Sequence, residues 1–479
     1  MMCAVNNLGY NPSDEDSILV FASHLEGQSL NEAIPNYERT FDGGRGTFGL
    51  ILETGYFGLE RNNDSKPDFN QAGLELKSSP LKRINNGEFR AKERVSLSMI
   101  DYGKIAYETG PLFSTSFWTK IHKILFVFYE YSPHLNVLEY PIRLVSLWEF
   151  PEADKLVMAK DWELIKSYVD KGQAHLLSEG LTNYLGAATK GASSNDLTSQ
   201  PYSSEMAMRR AFSLKTSYVN KIIKMLLRNT EDNLFSSLTS EDLTSQTLEN
   251  AFISRADKFI GKSLNEIRSQ FSEHEFNMES YSVYAKVTKL ILGSSNENYP
   301  SELVNADITV RTIRLKTNGV PKEAVSFPSF KYLDIIEESW LDSYLFELLD
   351  SKKFLFSIFA IENDELIFKG FRFWSMPHKD IQICKKVWEH TKYTIQEGEI
   401  VREVTRSKRF TNFKKSSDKM IIHVRPHASN SQDTYPLPVK DKLTGLKKYT
   451  KHSFWLNPLY LAEILKDEYL KESSLHQSK

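Results

Sequence analysis

Residues 148–172, WEFPEADKLVMAKDWELIKSYVDKG, return 226 positions later as residues 374–398, WSMPHKDIQICKKVWEHTKYTIQEG. Eight of the 25 aligned positions are identical, and the alignment needs no gap. Self-similarity at a fixed distance along a chain indicates a repeated structural unit. The stretch therefore predicts that the chain folds as two copies of one unit.

Three further pairs of segments repeat in the same order, at offsets that all lie between 226 and 242. The pairs are GQSLNEAI at Gly27 with GKSLNEIR at Gly261, KERVSLSMIDY at Lys92 with KEAVSFPSFKY at Lys322, and AFSLKTSY with SFWLNPLY, in which Phe212, Leu214 and Tyr218 return as Phe454, Leu456 and Tyr460. Neither copy has a counterpart for the polar stretch from Asn229 to Gln246, whose composition favours a connection. We therefore predict a first domain at residues 1–230, a linker at 231–250 and a second domain at 251–479.

The composition is that of a globular chain of two domains. The 479 residues are 41% hydrophobic and 25% charged. No apolar run approaches the roughly 18 residues that a membrane helix needs. The N-terminal residues carry no secretion signal, and Cys3 and Cys384 are too few for a disulfide framework or a cysteine metal cluster. We expect a cytoplasmic protein that does not associate with membranes.

The hydrophobic pattern predicts a mixed α and β fold in each copy. In the first copy it predicts a helix over 49–57, a strand over 73–77, a strand over 123–131, a helix through 161–171 that opens after Pro151, and a helix over 216–227. The apolar runs from Ile124 to Tyr129 and from Phe354 to Ile361 have the length and the aromatic or β-branched content of buried strands.

Charge is distributed unevenly along the chain. The segment from Val401 to His452 holds 13 lysines and arginines against four acidic residues, although the whole chain has a net charge of −2. Lysine and arginine displace condensed counterions from phosphates, so such a segment is typical of a polyanion-binding surface. A solvated basic loop without a partner is the alternative.

The residues that could carry chemistry lie in the first copy. Asp68 is followed after six residues by Glu75-Leu76-Lys77, and a strand over 73–77 would put Glu75 and Lys77 on one face, with Leu74 and Leu76 buried on the other. Two carboxylates beside an ammonium can hold a hard divalent cation and position its water for phosphodiester hydrolysis. Glu53, in the predicted helix, could supply a further carboxylate.

The second copy lacks part of this set when the copies are aligned by sequence. At an offset of 239, Asp68, Glu75 and Lys77 align with Asp307, Arg314 and Lys316, and at an offset of 235, Glu53 aligns with Thr288. Arginine cannot ligate magnesium, so the second copy is expected to be catalytically silent. Its basic segment suits DNA binding instead.

The strings RGTFGLILETGYFG, SKPDFNQAGLELKSSPLK and KERVSLSMIDY resemble the catalytic core of the MutH group of PD-(D/E)xK nucleases. The resemblance is closer to the two-domain type II restriction endonucleases of that group, which cut at GATC. It extends through LSEGLTNYLGAATKGASS, RRAFSLKTSY, FKGFRFWSMP and HVRPHASN, and so covers most of the chain. The implied fold is two tandem MutH-like domains, of which the second is a degenerate copy that binds DNA and acts allosterically.

The resemblance also implies roles for individual residues. Asp68, Glu75 and Glu53 would hold Mg²⁺, and Lys77 would complete the catalytic set. A lysine just before the Ile124 strand would assist; Lys120 is our choice and Lys123 its rival. The residues that fall where this family touches DNA are Arg45, Gly46 and Lys190, and we expect Arg425 and His427 of HVRPH to contact phosphates or to pack.

We predict a magnesium-dependent type II restriction endonuclease that recognises double-stranded GATC. With one active site per chain, we expect it to dimerise on DNA. The segment ADKFIGKS resembles a phosphate loop only loosely and belongs to the GxSLNE repeat, so we expect no nucleotide cofactor. Two alternatives stay open, a methyl-directed nicking endonuclease of mismatch repair and a non-catalytic DNA-binding protein.

Overall fold

The computed structural model describes residues 9–35, 46–60, 65–191, 196–228, 236–271, 273, 282–294, 298–406 and 408–466. Helices and strands alternate through both halves of the chain. The predicted mixed α and β fold is therefore confirmed. Among the described helices, none combines the length with the apolar character that crossing a bilayer takes.

The first half contains seven α-helices and nine strands among its described residues. The helices are α1 Glu15–Ser23, α2 Leu30–Ala33, α3 Thr47–Ile51, α4 Tyr102–Tyr107, α5 Ser116–Ile121, α6 Glu152–Asp170 and α7 Thr216–Arg228. The strands are β1 Glu75–Arg83, β2 Phe89–Ala91, β3 Val95–Met99, β4 Lys123–Glu130, β5 Ile142–Glu149, β6 Leu185–Thr189, β7 Leu197–Gln200, β8 Ser203–Met208 and β9 Arg210–Leu214.

The second half repeats this succession with additions. Its helices are α8 Ser240–Ser245, α9 Leu248–Ala256, α10 Leu264–Ser269, α11 Ser282–Ile291, α12 Ser301–Asn305, α13 Tyr332–Glu337, α14 Tyr344–Ser351 and α15 His378–Gln396. Its strands are β10 Ile308–Leu315, β11 Val325–Phe330, β12 Lys353–Glu362, β13 Glu365–Ser375, β14 Val401–Val404, β15 Arg409–Thr411, β16 Ile422–Pro426, β17 Thr434–Pro436, β18 Lys448–Thr450 and β19 His452–Leu456.

Each half contains two sheets of three or four strands, and the strand order matches between the halves except for the extra edge strand β2, while the remaining sheets are two-stranded. In the first half the sheets run β2-β1-β4-β5 and β3-β9-β6, and in the second half β10-β12-β13 and β11-β19-β16. The strands β1 and β4 pair in parallel, as do β10 and β12. The two apolar runs of the sequence form strands β4 and β12. Most of their residues are buried, as expected for strands that are covered on both faces of the sheet. The two copies of one fold are therefore visible in the strand pairing.

The repeated sequence segments make the same contacts in both halves. Ser29 and Glu32 form a capping box on α2, and Ser263 and Glu266 form one on α10. The glycine that opens each segment has a positive φ, 83° at Gly27 and 81° at Gly261. Their N–H groups donate to the carbonyl oxygens at positions 142 and 368, which are themselves equivalent. The segments repeat because each one closes the same turn against the same sheet.

Most of the elements predicted from the hydrophobic pattern are confirmed. The helix over 49–57 is α3 continued by a π-helical turn, Leu52–Tyr56, and the predicted strand over 123–131 is β4. The strand predicted over 73–77 begins later and runs further, because residues 69–74 form a tight turn before β1. Within the predicted linker 231–250 lie α8, which packs against α6, and the start of α9. The domain division itself stays a prediction.

One hydrophobic core is built from residues of both halves. It extends from Leu81 in the first half to Phe371 in the second and includes residues of α7, α9 and β12. Two further cores lie within the second half and beneath the first sheet of the first half. The halves are therefore packed together through apolar side chains and are not merely joined by a chain segment.

Two buried histidines lie in the second sheet of the second half. His423 is fully buried, and among the residues that the structure describes neither of its ring nitrogens has a hydrogen-bond partner. His452 is 2% exposed, with Nδ1 2.9 Å from the Tyr332 hydroxyl. Burial lowers the pKa of both imidazoles to about 4. Both side chains are therefore held neutral in the folded chain.

We expect this burial to make stability fall as the pH falls from about 6.5 towards 4, because the unfolded chain then binds protons that the folded chain excludes. His423→Leu should flatten the dependence by about 1 to 2 kcal/mol between pH 7 and pH 5. Urea unfolding at both pH values measures this, with His427→Leu, an exposed position, as the control. An unchanged pH dependence in His423→Leu would contradict the expectation.

Candidate functional site

A tight turn before β1 brings Asp68 against Glu75. The Phe69 N–H donates to the Leu74 carbonyl at 2.9 Å, and Gly73 adopts a φ of 68°, which closes the turn. The Asp68 Oδ2 then accepts from the Leu76 N–H at 3.0 Å. In return, the Glu75 Oε2 accepts from the Asp68 N–H at 3.2 Å. The six residues that separate Asp68 from Glu75 in the sequence therefore form one closed turn.

Glu75 and Lys77 share one face of β1, as their spacing predicts. The Lys77 Nζ lies 2.5 Å from the Glu75 Oε1. Leu74 and Leu76 are buried in the apolar cluster beneath the sheet. The alternation of a strand therefore gives this pair a polar face and an apolar anchor at the same time.

The structure brings Lys120 to the same carboxylate and directs Lys123 elsewhere. Lys120 lies in the last turn of α5, and its Nζ is 3.6 Å from the Glu75 Oε1. The Lys123 Nζ instead contacts Glu15 at 2.7 Å and Glu149 at 2.8 Å. The geometry therefore favours our choice of Lys120 over its rival.

Glu75 carries an unusual electrostatic load. Its side chain is fully buried, and this burial raises the pKa of its carboxyl to about 7. Lys77 and Lys120 act in the opposite direction, while the negative charge of Asp68 raises the pKa further. The carboxyl is therefore held close to its titration point between two cations, which is typical of a group with a chemical role.

The donor set fits a hard divalent cation. Asp68 and Glu75 present carboxylate oxygens at the start of β1, and magnesium is commonly held by one or two carboxylates together with substrate phosphates and water. Glu53 lies in the π-helical turn Leu52–Tyr56, a kind of irregularity that is frequent at functional sites. Across the described residues, no three acidic, histidine or cysteine side chains lie close enough to share one metal ion, so Glu53 does not complete a three-carboxylate group here.

The residues predicted to touch DNA in the first half lie at exposed chain turns. Gly46 is the N-cap of α3, has a φ of 90° and is exposed. Lys190 follows β6, is exposed, and its N–H donates to the Arg209 carbonyl at 2.9 Å. Arg45 lies outside the described residues.

The strand register corrects our alignment of the two catalytic segments. Trp148 pairs with Ile124 and Trp374 pairs with Phe354, so Ile124 and Phe354 are equivalent positions. Glu75 lies beside Ile124 in the parallel pair, and Thr309 lies beside Phe354.

The counterpart of Glu75 is thus Thr309, and that of Lys77 is Arg311. The alignment with Arg314 and Lys316 was wrong by five residues, because it matched residue types and not the strand register. The second half still lacks the central carboxylate.

The register also identifies the counterpart of Lys120. The strands β4 and β12 begin at the equivalent residues Lys123 and Lys353, each preceded by a short helix. Three positions earlier, the first half has Lys120 and the second half has Asp350. No single feature of the sequence reveals this replacement, because the helix segments share no motif.

Lys190 and His427 occupy equivalent places. Leu185 in β6 and Ile422 in β16 pair with Leu214 and Leu456, so each residue lies five positions beyond an equivalent strand start. The His427 N–H donates to a backbone carbonyl just as that of Lys190 does, and its Nδ1 lies 2.9 Å from the Ser453 hydroxyl. The two residues predicted to contact DNA, Lys190 in the first half and His427 in the second, therefore occupy equivalent positions of the repeated fold.

The second half has an inserted hairpin that the first half lacks. The offset between the copies rises from 226 at Gly398 to 237 at Ile422, so 11 residues are inserted, and these form β14 and β15. The hairpin covers one side of a groove of about 820 Å³ whose floor includes Val424, Tyr449 and His452. We call this the basic groove, and its cationic side chains are Arg406, Lys408, Arg409, Lys415 and Arg425.

The basic groove is left uncompensated by acidic groups. Within the part of the chain that the structure describes, none of its five cations forms an ion pair with a carboxylate. Arg425 packs its guanidinium 4.8 Å from the Trp455 ring, and Lys415 lies 5.7 Å from the Phe410 ring. The sequence shows these charges as a basic segment but singles out only Arg425 among the five, although the change in repeat offset is a signal for the insertion.

Comparison with known proteins identifies related chains. A family model for the DNA mismatch repair enzyme MutH matches residues 57–161, which include Asp68, Glu75, Lys77 and Lys120. The type II restriction enzyme Sau3AI of Staphylococcus aureus is 32% identical over 453 residues, 86% of this chain and 91% of that enzyme. The DNA mismatch repair protein MutH of Actinobacillus pleuropneumoniae is 26% identical over 45% of this chain and 95% of its own length. A MutH protein thus corresponds to about one half of this chain.

The basic groove leads to a prediction about salt dependence. Arg409→Ala and Arg425→Ala should each weaken binding to duplex DNA of arbitrary sequence and reduce the slope of log affinity against log salt by about 0.9 for each phosphate that is no longer neutralised. Lys442→Ala is the matched control, because Lys442 is an exposed lysine of the same basic segment whose Nζ is 2.9 Å from Glu399. Equal slopes for all three variants would exclude the groove as a phosphate-binding surface.

Proposed function

The chain belongs to the MutH-related type II restriction endonucleases and is a site-specific deoxyribonuclease, and we propose that it cleaves double-stranded DNA at GATC with Mg²⁺ as cofactor. The observation that carries this proposal is the convergence of Asp68, Glu75, Lys77 and Lys120 within the segment that matches the MutH model. The GATC sequence is proposed from the resemblance to the restriction enzymes of this group.

In the proposed site, Asp68 and Glu75 would hold Mg²⁺, and Glu53 is proposed as a further carboxylate from the family resemblance. When bound, the ion neutralises charge on the scissile phosphate and makes its water a stronger acid. The turn from Phe69 to Leu74 keeps the two carboxylates at a fixed separation, since each accepts a backbone N–H from the other residue's segment. The carboxylates therefore need little rearrangement before they can bind.

The two lysines have separate roles in the proposal. Lys77 would orient the attacking water as an ammonium or, as a neutral amine, would take its proton, since its Nζ lies on the same strand face as Glu75. Lys120 approaches from α5 and offsets the charge that develops on the phosphate. Both also favour the ionised form of Glu75, against the burial that raises its pKa. Binding of a divalent cation would add positive charge beside Glu75 and would therefore favour its ionised carboxylate.

The second half holds DNA in this proposal and does not cut it. Thr309, Arg311 and Asp350 replace the carboxylate and both lysines, which removes the ligand and the proton-handling groups. The basic groove with Arg425 and the exposed His427 supply contacts to phosphates. In the first half, Arg45, Gly46 and Lys190 are proposed to contact DNA. The enzyme acts in the cytoplasm on cellular or invading DNA and needs no nucleotide cofactor.

One active site in each chain cuts one strand at a time. We propose that two chains meet on the duplex, so that both strands are cut in one binding event. A nicking endonuclease of mismatch repair is the second candidate, supported by the MutH model match and by relatives that span one half of this chain. The match to Sau3AI over both halves favours restriction, because a MutH protein has the length of a single copy.

Cleavage of unmethylated plasmid tests the proposal. With Mg²⁺ we expect discrete double-strand fragments whose ends map to GATC, and no cleavage in EDTA. Glu75→Gln should lower the single-turnover rate by about 1,000-fold or more while duplex binding is retained, because it removes the charge and keeps the buried volume. Glu130→Gln, on the same sheet but paired with Arg83 and Arg143 at its surface, is the control.

Nicked circles alone would favour the repair enzyme over the restriction enzyme. Full activity in Glu75→Gln would show that the active site is assigned to the wrong residues. Fragments with ends away from GATC would refute the specificity while leaving the chemistry intact.

Lys120 and Lys123 provide a matched pair of substitutions. Lys120→Met should reduce the single-turnover rate by about 100-fold, since it removes a cation from the phosphate. Lys123→Met should keep the rate within about threefold and lower stability by about 1 kcal/mol, because it breaks a partly exposed ion pair with Glu15 and Glu149. Single-turnover rates and urea unfolding separate the two effects, and a reversed order of the rates would make Lys123 the assisting lysine.

A further inference from the structure

We propose that Asp350 of the second half is a positioning residue for DNA binding by the first half, acting through Arg210 on the strand pair β6 and β9 that carries Lys190. The inference rests on the proposed function, because it takes Lys190 as a DNA contact. It goes beyond that function in giving the lost catalytic position of the second half a present role.

The structural equivalence of Asp350 with Lys120 is fixed by neighbouring contacts. The Lys123 Nζ binds Glu15 of α1, and the Lys353 Nζ binds Glu249, which has the corresponding place in α9. The polar contact at the start of the central strand is thus the same in both halves. Three residues before it, a lysine that faces the active site in one half has become an aspartate in the other.

Asp350 is engaged by a residue of the first half. The Arg210 Nη2 lies 3.0 Å from Oδ1 and its Nη1 lies 3.1 Å from Oδ2, so the pair is bidentate. The side chains are 1% and 5% exposed. Removing one partner of such a buried pair leaves an uncompensated charge, so the contact is costly to break. Arg210 is therefore held by the second half in one orientation.

Arg210 is also part of the strand pair that ends at Lys190. It begins β9, pairs with Thr189 of β6, and its Nη1 donates to the Ala187 carbonyl at 2.6 Å. Thr189 is the last residue of β6, and the residue that follows it is Lys190, whose N–H donates to the carbonyl of Arg209. One guanidinium thus ties Asp350 to the backbone of β6 within three residues of Lys190.

The loop that leads into β6 is pressed against the same end of α14. A Cβ added to Gly180 would lie 2.7 Å from the Lys352 carbonyl oxygen and 3.2 Å from that of Asp350, so only glycine fits there. The Lys353 Nζ donates to the Asn183 Oδ1 at 2.9 Å. The strand β6 is therefore anchored to the second half before it starts and again near its end.

These contacts give the aspartate a function that the lysine could not have. A cation at position 350 would repel Arg210 inside the interface, whereas a carboxylate neutralises it. The position that Lys120 occupies beside the proposed active site in the first half is occupied in the second half by Asp350, which binds Arg210 of β9. We expect loss of the Asp350–Arg210 pair to impair DNA binding while leaving the chemical step intact.

Full-length Asp350→Asn tests the inference through duplex binding at several salt concentrations and through the single-turnover rate at saturating DNA. We expect the Kd for a GATC duplex to rise about 10-fold and the salt slope to fall by about 1, as in Lys190→Ala. The saturated rate should stay within about threefold. The double variant Asp350→Asn/Lys190→Ala should bind no more weakly than Lys190→Ala alone.

Asp307→Asn is the matched control, because Asp307 pairs with Lys352 at 2.5 Å and is part of the same strand end without touching Arg210. Its Kd and salt slope should equal those of the wild type. If Asp350→Asn fails to fold, Arg210→Lys replaces it, since lysine keeps the charge but cannot bind both carboxylate oxygens.

Wild-type affinity in Asp350→Asn, or additive effects with Lys190→Ala, would overturn the inference while GATC cleavage by the wild type still stood. An unchanged Kd and salt slope in Lys190→Ala would also overturn it. Failure of the wild type to cleave GATC would instead refute the proposed function.

Discussion

The parallel pairing of β1 with β4 is the constraint on which the proposed active site depends. In a parallel pair the two strands start at the same edge of the sheet, so residues just before β1 and just before β4 are neighbours in space. Asp68 precedes β1, Glu75 begins it, and Lys120 lies in the last turn of the helix before β4. The same pairing of β10 with β12 places Thr309 beside Phe354, four residues after Asp350, so the equivalent edge of the second half lacks both the carboxylate and the lysine.

The amino-acid sequence predicts the site residues that are close along the chain better than those that strand pairing brings in from a distance. Asp68, Glu75 and Lys77 are close along the chain, so a turn and one strand face suffice to join them, and the structure does join them. Lys120 lies 45 residues from Glu75, and only the strand pairing could choose it over Lys123. Contacts of this kind depend on the register between paired strands, which the spacing of residues along the chain does not determine.

The duplication was evident from repeated motifs, but the alignment of the catalytic segments was not. Tryptophans and capping boxes are repeated because each closes a buried contact, so their offsets report the fold. The catalytic segments contain no such repeated motif, and matching their residues by type shifted the alignment by five positions. The partners of Arg210 and Lys353 could not be foreseen either, since they lie in the other half of the chain.

The shared interface has a consequence for the history of the chain. Arg210, Glu179 and Lys215 are buried beside carboxylates and carbonyls, and Asp350 and Lys353 supply part of that environment from the second half. An isolated first half would have to hydrate the Arg210 charge or leave it without a carboxylate within apolar surroundings, although Glu179 would keep Arg94 and Lys215 would keep the Thr182 carbonyl. Two units that began as interchangeable copies have thereby become mutually dependent, and a gene encoding either one alone would no longer specify a self-sufficient protein.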